Sequence, residues 1–218
     1  MKALTIPTVT PKAVWTVKNP ATSRSVASRH DAEAKPRKPP RPVSEAYLER
    51  AALHYLERYS ASVAMLRRTL LRKVETRCRL RGEEAEPFAP MVEAVVARAV
   101  SSGLVDDARF TAARVATLRR RGTSARGLAA KLAAKGVARD LVEATLSAER
   151  DAEEGGDAEA AAAQAYAKRR RLGPWRRPDT REAHRERDLA ALARAGFPYA
   201  LARRTIEAHS EEAGPKDV

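Results

Sequence analysis

The chain has little of several features that define common protein classes. Among its 218 residues there is one cysteine, Cys78, and only 5% of the residues are aromatic. One cysteine cannot form an intrachain disulfide, and it excludes a zinc site built from several cysteines. Valine and isoleucine are also sparse. Because these β-branched residues favour strands, a β-sandwich or a parallel-sheet enzyme is excluded.

Long apolar runs are missing as well. No stretch approaches the roughly 20 apolar residues that a membrane-spanning helix needs. Near the start, Pro7, Pro11 and Lys12 interrupt the sequence before the apolar core of a signal peptide could form. We therefore expect a soluble, cytoplasmic protein with a reduced thiol and no membrane association.

The chain is rich in positive charge and in good helix formers. It holds 42 Lys and Arg residues against 28 Asp and Glu residues, so its formal net charge is +14. A charge of this size points to a polyanionic partner. Alanine, leucine, arginine and glutamate dominate the composition. Since their unbranched side chains lose little freedom in a helix, this composition predicts an all-α fold.

Residues 1–43 form a basic tail in which prolines interrupt any helical pattern. The tail holds nine basic and two acidic residues, which gives it a net charge of +7, half that of the whole chain. Few large apolar residues and self-repelling charge predict disorder. Such a tail either adds nonspecific affinity for phosphate or only keeps the protein soluble.

From Ser44 onward the pattern is helical and repeats itself. Residues 131–137 read Lys-Leu-Ala-Ala-Lys-Gly-Val and residues 191–197 read Ala-Leu-Ala-Arg-Ala-Gly-Phe, in both cases a helix, a glycine stop and an apolar residue. An offset of 62 residues aligns Leu66 with Leu128, and an offset of 60 aligns Leu132 with Leu192. Self-similarity at a fixed period is the signature of a repeat architecture.

The repeat divides the chain into three tandem three-helix units, at 44–103, 104–150 and 151–210, followed by a C-terminal tail at 211–218. Unit 1 carries an insertion near 75–90, which we interpret as a longer loop or a helix extension. Residues 151–156 are typical of an acidic hinge. Since three short helices bury little surface alone, we expect neighbouring units to stack into an elongated, curved molecule. The repeat also places Phe110, Phe197, Leu132 and Ile206 in the core.

Several sequence motifs in units 2 and 3 resemble those of a known family. Residues 103–110 read Gly-Leu-Val-Asp-Asp-Ala-Arg-Phe, residues 119–122 read Arg-Arg-Arg-Gly, and residues 128–137 read Leu-Ala-Ala-Lys-Leu-Ala-Ala-Lys-Gly-Val. Together they resemble the central signature of the RecX family, bacterial regulators of the RecA recombinase. The resemblance covers about 44–210 and includes Ala167-Lys-Arg-Arg-Arg171, the Pro174-Trp175 turn and the stretch from Arg181 to Phe197.

This resemblance implies a function that composition alone does not indicate. RecX proteins consist of three three-helix repeats that lodge along the groove of RecA filaments on single-stranded DNA. They restrain recombination, ATP hydrolysis and the coprotease activity behind the SOS response. The resemblance therefore implies RecA as the partner, with single-stranded DNA as a further contact. The basic tail, the insertion near 75–90 and the alanine-rich helix at 160–167 depart from the family pattern.

A filament-binding surface needs cations held on rigid helices, and unit 2 is the most basic folded unit, with a net charge of +5. Lys131 and Lys135 lie one helical turn apart. Arginine adds a bidentate fork for phosphate or carboxylate. The candidate residues for RecA or DNA binding are Arg67, Arg68, Arg72 and Lys73 in unit 1, Arg114, Arg119, Arg120, Arg121, Arg126, Lys131 and Lys135 in unit 2, and Lys168, Arg169, Arg170 and Arg171 in unit 3.

Each candidate also has a purely structural explanation. Lys and Arg commonly extend over apolar faces with their charged ends in water. Cations at a helix C-terminus are favoured by its dipole, which applies to residues 168–171. The three consecutive arginines 119–121 span most of a helix circumference and cannot all face one partner. Trp175 either stacks on a base or packs its turn onto its own unit, and we favour packing.

Nothing in the sequence supports an enzyme, a metal site or a cofactor. The four histidines lack the spacing of metal ligands, and no glycine-rich phosphate loop is present. Cys78 lies among arginines with no general base beside it. We also expect a monomer, because no apolar seam is left over.

A second function remains open, that of a stand-alone basic DNA-binding protein with a helix-turn-helix at Ser124–Lys135 and Ala138–Leu146. Glycine between two short helices suits that motif. The apolar face of these helices is needed for packing, however, and the motif recurs as a structural repeat.

Overall fold

The computed structural model describes residues 39–152 and 158–208, which form nine α-helices and no strand. The helices are α1 Glu45–Leu56, α2 Val63–Arg81, α3 Ala89–Ser101, α4 Asp107–Arg120, α5 Ala125–Ala133, α6 Arg139–Asp151, α7 Ala158–Arg170, α8 Arg181–Arg194 and α9 Tyr199–Glu207. We call α1–α3 unit 1, α4–α6 unit 2 and α7–α9 unit 3. The predicted all-α fold of three tandem three-helix units is confirmed.

Polar caps explain where several helices begin. Ser44, Ser62 and Ser124 precede α1, α2 and α5, and each hydroxyl oxygen accepts a hydrogen bond from the backbone N–H three residues later, at 3.3, 3.2 and 3.1 Å. Asp106 caps α4 by accepting from two backbone N–H groups, at 2.8 and 3.0 Å. Each such cap stabilises its helix by about 1 kcal/mol.

Five of the nine described helices end at a glycine in the left-handed conformation, and a sixth, α7, ends at an arginine in that conformation. Five glycines with φ between 69 and 94° stand just after helices: Gly82, Gly103, Gly122, Gly136 and Gly196. In the described part of the chain a single residue with a Cβ has a positive φ, Arg171 at 53°, and it directly follows α7. The left-handed conformation costs such a residue about 1–2 kcal/mol. Arg171 therefore carries backbone strain that glycine would relieve.

Each unit has its own apolar core, built from the positions that the repeat aligns. Leu66 and the aligned Leu128 expose no surface, and neither do Leu70, Leu132 and Leu192 at the next aligned position. Burying a leucine side chain in this way stabilises the fold by about 1.5–3 kcal/mol. All four residues that the repeat placed in the core are buried, namely Phe110, Phe197, Leu132 and Ile206.

Unit 3 has a carboxylate where the other two units have a leucine. The offset of 60 aligns Leu128 with Asp188, which is buried. Its carboxylate accepts from the Gly173 N–H at 2.9 Å and from the Arg176 guanidinium at 2.6 and 3.0 Å. Burial raises the pKa of Asp188, but these hydrogen bonds outweigh burial and hold the pKa below its usual value. The carboxylate thus fastens the 3₁₀ turn Gly173–Trp175 to α8, and Trp175 packs against the core of unit 3, as predicted.

The insertion near residues 75–90 is mostly helix extension rather than loop. Helix α2 continues to Arg81, and only residues 82–85 separate it from a 3₁₀ turn, Glu86–Phe88, that leads into α3. The physical reason is a continued core-facing stripe, because Leu70, Val74 and Cys78 stand four residues apart and are all buried.

Some sequence predictions lie outside the described residues. They are the disorder of residues 1–38 of the tail predicted at 1–43, most of the acidic hinge at 151–156 and the C-terminal tail at 211–218. Residues 39–43 of that tail are described and pack against unit 1, where Val43 is buried in the core and the Pro40 carbonyl accepts from Arg81 at 2.7 Å. Within residues 39–152 and 158–208, no helix combines the length and the apolar character that crossing a membrane requires.

Candidate polyanion-binding surface

Neighbouring units are joined by hydrogen bonds that occur in the same form twice. At the first joint, between units 1 and 2, Ser62 Oγ donates to the backbone carbonyl of Lys135 at 2.6 Å. At the second joint, between units 2 and 3, Ser124 Oγ donates to the carbonyl of Ala195, also at 2.6 Å. Both serines are buried. Each hydroxyl therefore caps its own helix and ties that helix to the next unit.

A carboxylate from the following unit completes each joint. Asp107 at the start of α4 accepts from the Val63 N–H at 2.8 Å, and Glu159 at the start of α7 accepts from the Ala125 N–H at 2.9 and 3.1 Å. Both N–H groups belong to the first turn of a helix, where the helix has no internal acceptor for them and where negative charge is favoured. The joints are therefore polar, specific and chemically alike.

The backbones at the joints approach so closely that side chains are excluded. A Cβ on Gly136 would lie 2.4 Å from the Cβ of Ala64 at the first joint. A Cβ on Gly122 would lie 2.4 Å from the backbone nitrogen of Tyr166 at the second joint. These two positions need glycine for space as well as for their positive φ. Side chains that flank the joints consequently sit on rigid supports.

The first joint carries the first cationic cluster, which we define as Lys131, Lys135, Arg68, Arg72 and Lys73. The Arg68 guanidinium lies 3.5 Å from the carbonyl of Ala134, next to Lys135, and Arg72 follows Arg68 by one helical turn. Lys131 lies on the last turn of α5, and Lys135 lies in the turn that follows this helix. Within the described ranges, no ion pair joins any member of the cluster to a carboxylate. The positive charge of this cluster is therefore not neutralised by the chain around it.

Arg67, which the sequence analysis grouped with these residues, has a different environment. Its guanidinium makes a bidentate pair with Glu93 on α3, at 2.6 and 2.8 Å. The hydrogen bonds from Arg67 lower the pKa of Glu93 below its usual value, despite a small opposing effect of burial. Arg67 thus links two helices of unit 1 and does not join the cluster.

Arg119 is likewise committed to the fold. Its side chain is 11% exposed and pairs with Glu149 of α6 at 2.8 Å and with Glu159 of α7. Burial lowers the pKa of Arg119, but the hydrogen bonds from both carboxylates outweigh burial and raise it above its usual value. Since Glu159 also accepts from the Ala125 N–H, Arg119 belongs to the second joint. The candidate arginines 119–121 are therefore divided between interior and surface.

The second joint carries the second cationic cluster, which we define as Arg121, Lys168, Arg169, Arg170 and Arg171. All five side chains are exposed. The guanidinium carbons of Arg169 and Arg170 lie 5.8 and 5.6 Å from the centre of the Tyr166 ring. Arg121 directly precedes Gly122, which packs against the backbone of Tyr166. No ion pair in the described chain neutralises this cluster either.

The remaining candidates are more scattered. Arg126 packs beside the second joint, with its Cβ 3.2 Å from where a Cβ on Gly196 would lie. Arg114 and Arg120 are exposed on α4, and Arg120 lies 3.5 Å from the hydroxyl of Thr117. Most candidates therefore belong to the two clusters, and Arg114 belongs to neither.

One cation beside the first cluster, Arg77, is not among the residues predicted from the sequence. The guanidinium carbon of Arg77 lies 3.6 Å from the centre of the Tyr47 ring, in a cation–π contact between α2 and α1. The available signal was its spacing of four residues from Lys73. No group of three His, Cys, Asp or Glu side chains arranged to hold a metal ion occurs among the described residues.

Comparison with known proteins gives consistent relatives. Residues 106–146 match the family model described as the second three-helix domain of RecX. The chain is 44% identical over 173 residues to the regulatory protein RecX of Myxococcus xanthus, an alignment that covers 79% of this chain and 90% of that protein.

Two further relatives carry the same name. The regulatory protein RecX of Agrobacterium fabrum is 30% identical over 168 residues, which cover 75% of this chain and 83% of that protein. The regulatory protein RecX of Thermobifida fusca is 35% identical over 159 residues, which cover 72% of this chain and 82% of that protein. No solved structure matches the chain significantly.

Proposed function

Since the chain belongs to the RecX family of regulatory proteins, we propose that it binds the groove of the RecA filament on single-stranded DNA and inhibits its recombinase, ATPase and SOS coprotease activities. The protein acts as a monomer in the cytoplasm, without a cofactor, catalysis or membrane attachment. The observation that carries the proposal is the pair of cationic clusters at the two joints of a RecX fold.

The charge distribution supports this role. Both clusters present cations that no carboxylate of the described chain neutralises, whereas Arg67 and Arg119 are paired internally. Uncompensated cations attract acidic protein surface and DNA phosphates and raise association rates. Because each cluster lies beside a tightly packed joint, the backbone that carries its side chains is ordered before binding, and no ordering cost for that backbone arises.

Division into units supports binding along a filament. A filament repeats the same protomer surface, so successive units can contact successive protomers. Several weak contacts held on one chain act with a high effective concentration. Loss of one side chain should therefore weaken binding modestly, while loss of a whole unit should abolish it.

The test is ATP hydrolysis by RecA on single-stranded DNA while the protein is titrated in. We expect inhibition at protein concentrations well below that of RecA and below those that bind naked DNA. Stimulation of hydrolysis would refute the inhibitory direction of the proposal, and no effect on RecA at any concentration would refute the partner.

The surface is tested by reversing the charge of Lys131 and Lys135 together. We expect Lys131→Glu with Lys135→Glu to weaken inhibition, since it places negative charge at the first joint. The matched control is Arg150→Glu with Arg187→Glu, two exposed arginines outside both clusters. Equal inhibition by the cluster variant and the control at moderate salt would overturn the assignment of this surface.

The alternative is a stand-alone DNA-binding protein that uses α5 and α6 as a helix-turn-helix. The contacts argue against it, because Ser124 at the start of α5 and Lys135 at its end are both used in joints. A sequence-specific protein would prefer one DNA site over random DNA by about a thousandfold or more. Tight, site-selective binding to DNA without any effect on RecA would favour this alternative.

A further inference from the structure

Unit 1 contains a cavity of about 390 Å³ between α1, α2 and the segment that precedes α1. Arg72, Lys73 and Arg77 line it, and none of its lining residues is a carboxylate. Ligand pockets in proteins commonly have volumes of about 300–1,000 Å³. The cavity is therefore large enough for a ligand of nucleotide size and carries the charge for an anion.

The three cations project from one exposed stripe of α2 and are held in different ways. Arg77 packs over the Tyr47 ring and donates to the carbonyl of Pro42 at 3.5 Å. Arg72 and Lys73 make no ion pair within the described residues. In contrast, Arg81 at the end of α2 pairs with Glu83 at 2.6 Å. The positive charge inside the cavity is thus left uncompensated while a neighbouring cation is neutralised.

The other walls combine apolar side chains with the two threonines Thr69 and Thr76. Arg81 donates to the carbonyl of Pro40 at 2.7 Å, which holds the segment before α1 against α2. Pro40 and Leu80 line the cavity together with Tyr47, and Leu80 is 64% exposed. Leu80 lies beside the Arg77 guanidinium that covers the Tyr47 ring, and together they offer a surface on which a nucleobase or a sugar packs.

From this combination we propose that the cavity binds one nucleotide unit of single-stranded nucleic acid. Arg72 and Lys73 hold the phosphodiester, and the apolar wall receives the base. A duplex keeps its bases stacked inside, so it cannot place a phosphate and a base in one cavity. An acidic peptide would use the cations but would leave the apolar wall empty. The inference depends on the proposed function only for the source of the strand, the DNA within a RecA filament.

The test uses the full chain without RecA and measures binding of fluorescent (dT)₈ by anisotropy at several salt concentrations. We expect the double variant Arg72→Ala with Lys73→Ala to bind (dT)₈ about tenfold more weakly. The slope of log K against log salt should become shallower by about 0.7, which corresponds to the loss of one phosphate contact. The control Arg150→Ala with Arg187→Ala removes the same charge elsewhere and should bind almost normally. Circular dichroism checks that each variant is folded. A second variant, Arg77→Lys, keeps the positive charge but loses the contact of the guanidinium with the Tyr47 ring, and we expect it to bind (dT)₈ more weakly.

Equal affinity of the cavity variant and the control variant would overturn the proposal. So would stronger competition by a hexaglutamate peptide than by unlabelled (dT)₈, because the cavity would then select carboxylates. Competition by thymidine monophosphate as strong as that by (dT)₈ would overturn the assignment to a strand. RecA inhibition is measured in parallel. A chain that binds (dT)₈ through the cavity yet never affects RecA would refute the proposed function and leave this inference standing, whereas intact inhibition by a protein that binds no (dT)₈ would do the reverse.

Discussion

Replacing Arg171 by glycine should stabilise the protein and weaken its binding at the same time. Arg171 holds a φ of 53° directly after α7, and its side chain is exposed in the second cationic cluster. The left-handed conformation destabilises the folded state by about 1–2 kcal/mol when the residue has a Cβ. Glycine opposes this gain, because its greater freedom in the unfolded chain lowers the free energy of unfolding by about 0.5–1 kcal/mol. We therefore expect Arg171→Gly to raise the free energy of unfolding by about 0.5–1 kcal/mol, a rise in Tm of about 1–4 °C for a chain of this size.

Arg170 provides the matched control. It is the last residue of α7 and lies within the helix, so Arg170→Gly removes the same charge from the same cluster but should destabilise the fold by about 1 kcal/mol. If the cluster binds its partner by charge, both variants should lose inhibition of RecA by a similar factor, up to about fivefold for one exposed ion pair.

The assays are thermal unfolding followed by circular dichroism and ATP hydrolysis by RecA with each variant titrated in. A lower Tm for Arg171→Gly would refute the reasoning about backbone strain. Loss of inhibition in Arg170→Gly alone would mean that inhibition follows stability and that the second cationic cluster is not a binding surface.

Three further changes test the joints and the interior, and urea unfolding measures all of them. Gly136→Ala should lower the free energy of unfolding by about 2 kcal/mol more than Gly103→Ala. Both residues have a positive φ, but of these two only Gly136 faces a close contact across a joint. Equal losses of stability would refute the packing argument. Arg119→Ala should destabilise the fold by about 3 kcal/mol, because it removes the largely buried guanidinium that pairs with both Glu149 and Glu159. Arg120→Ala should change stability by less than about 0.5 kcal/mol. A small effect at Arg119 would return it to the candidate binding residues. Asp188→Asn should lower the free energy of unfolding at neutral pH. Because the folded-state pKa of Asp188 is lowered, the extra stability of the wild type is present above the ordinary aspartate pKa of about 3.9 and is lost as the pH falls through the folded-state pKa. A stability difference that persists in acid would contradict this assignment.

Much of the interior follows from the spacing of the sequence. Leu66 and Leu128 are aligned by the repeat and occupy the same buried position in their units. Ser44 begins its helix as a cap, which its place before an apolar-periodic stretch already indicated. The same spacing left open whether the insertion near 75–90 is a loop or a helix extension, because the arginines around Cys78 concealed that this residue continues the buried stripe.

The candidate site was predictable as a set of cations but not as a surface. Charge and helical position identify Arg67, Arg72 and Arg119 equally well as candidates. Only their neighbours distinguish them, since Arg67 and Arg119 pair with carboxylates from other helices, whereas Arg72 pairs with none in residues 39–152 and 158–208. Arg77 was missed for the same reason, because its contact with Tyr47 joins two helices that are far apart in sequence.

The sequence by itself determined the helical character, the three-unit repeat and the excess of positive charge, because composition and periodicity are local properties that each helix expresses on its own. The tertiary structure alone decided which cations remain free for a partner and which are consumed in the fold. Pairing depends on side chains that meet between helices, such as Arg119 of α4 with Glu149 of α6 and, across the second joint, with Glu159 of α7. Whether two such side chains come into contact depends on how whole helices pack against one another, and the spacing of residues along the chain does not determine that packing.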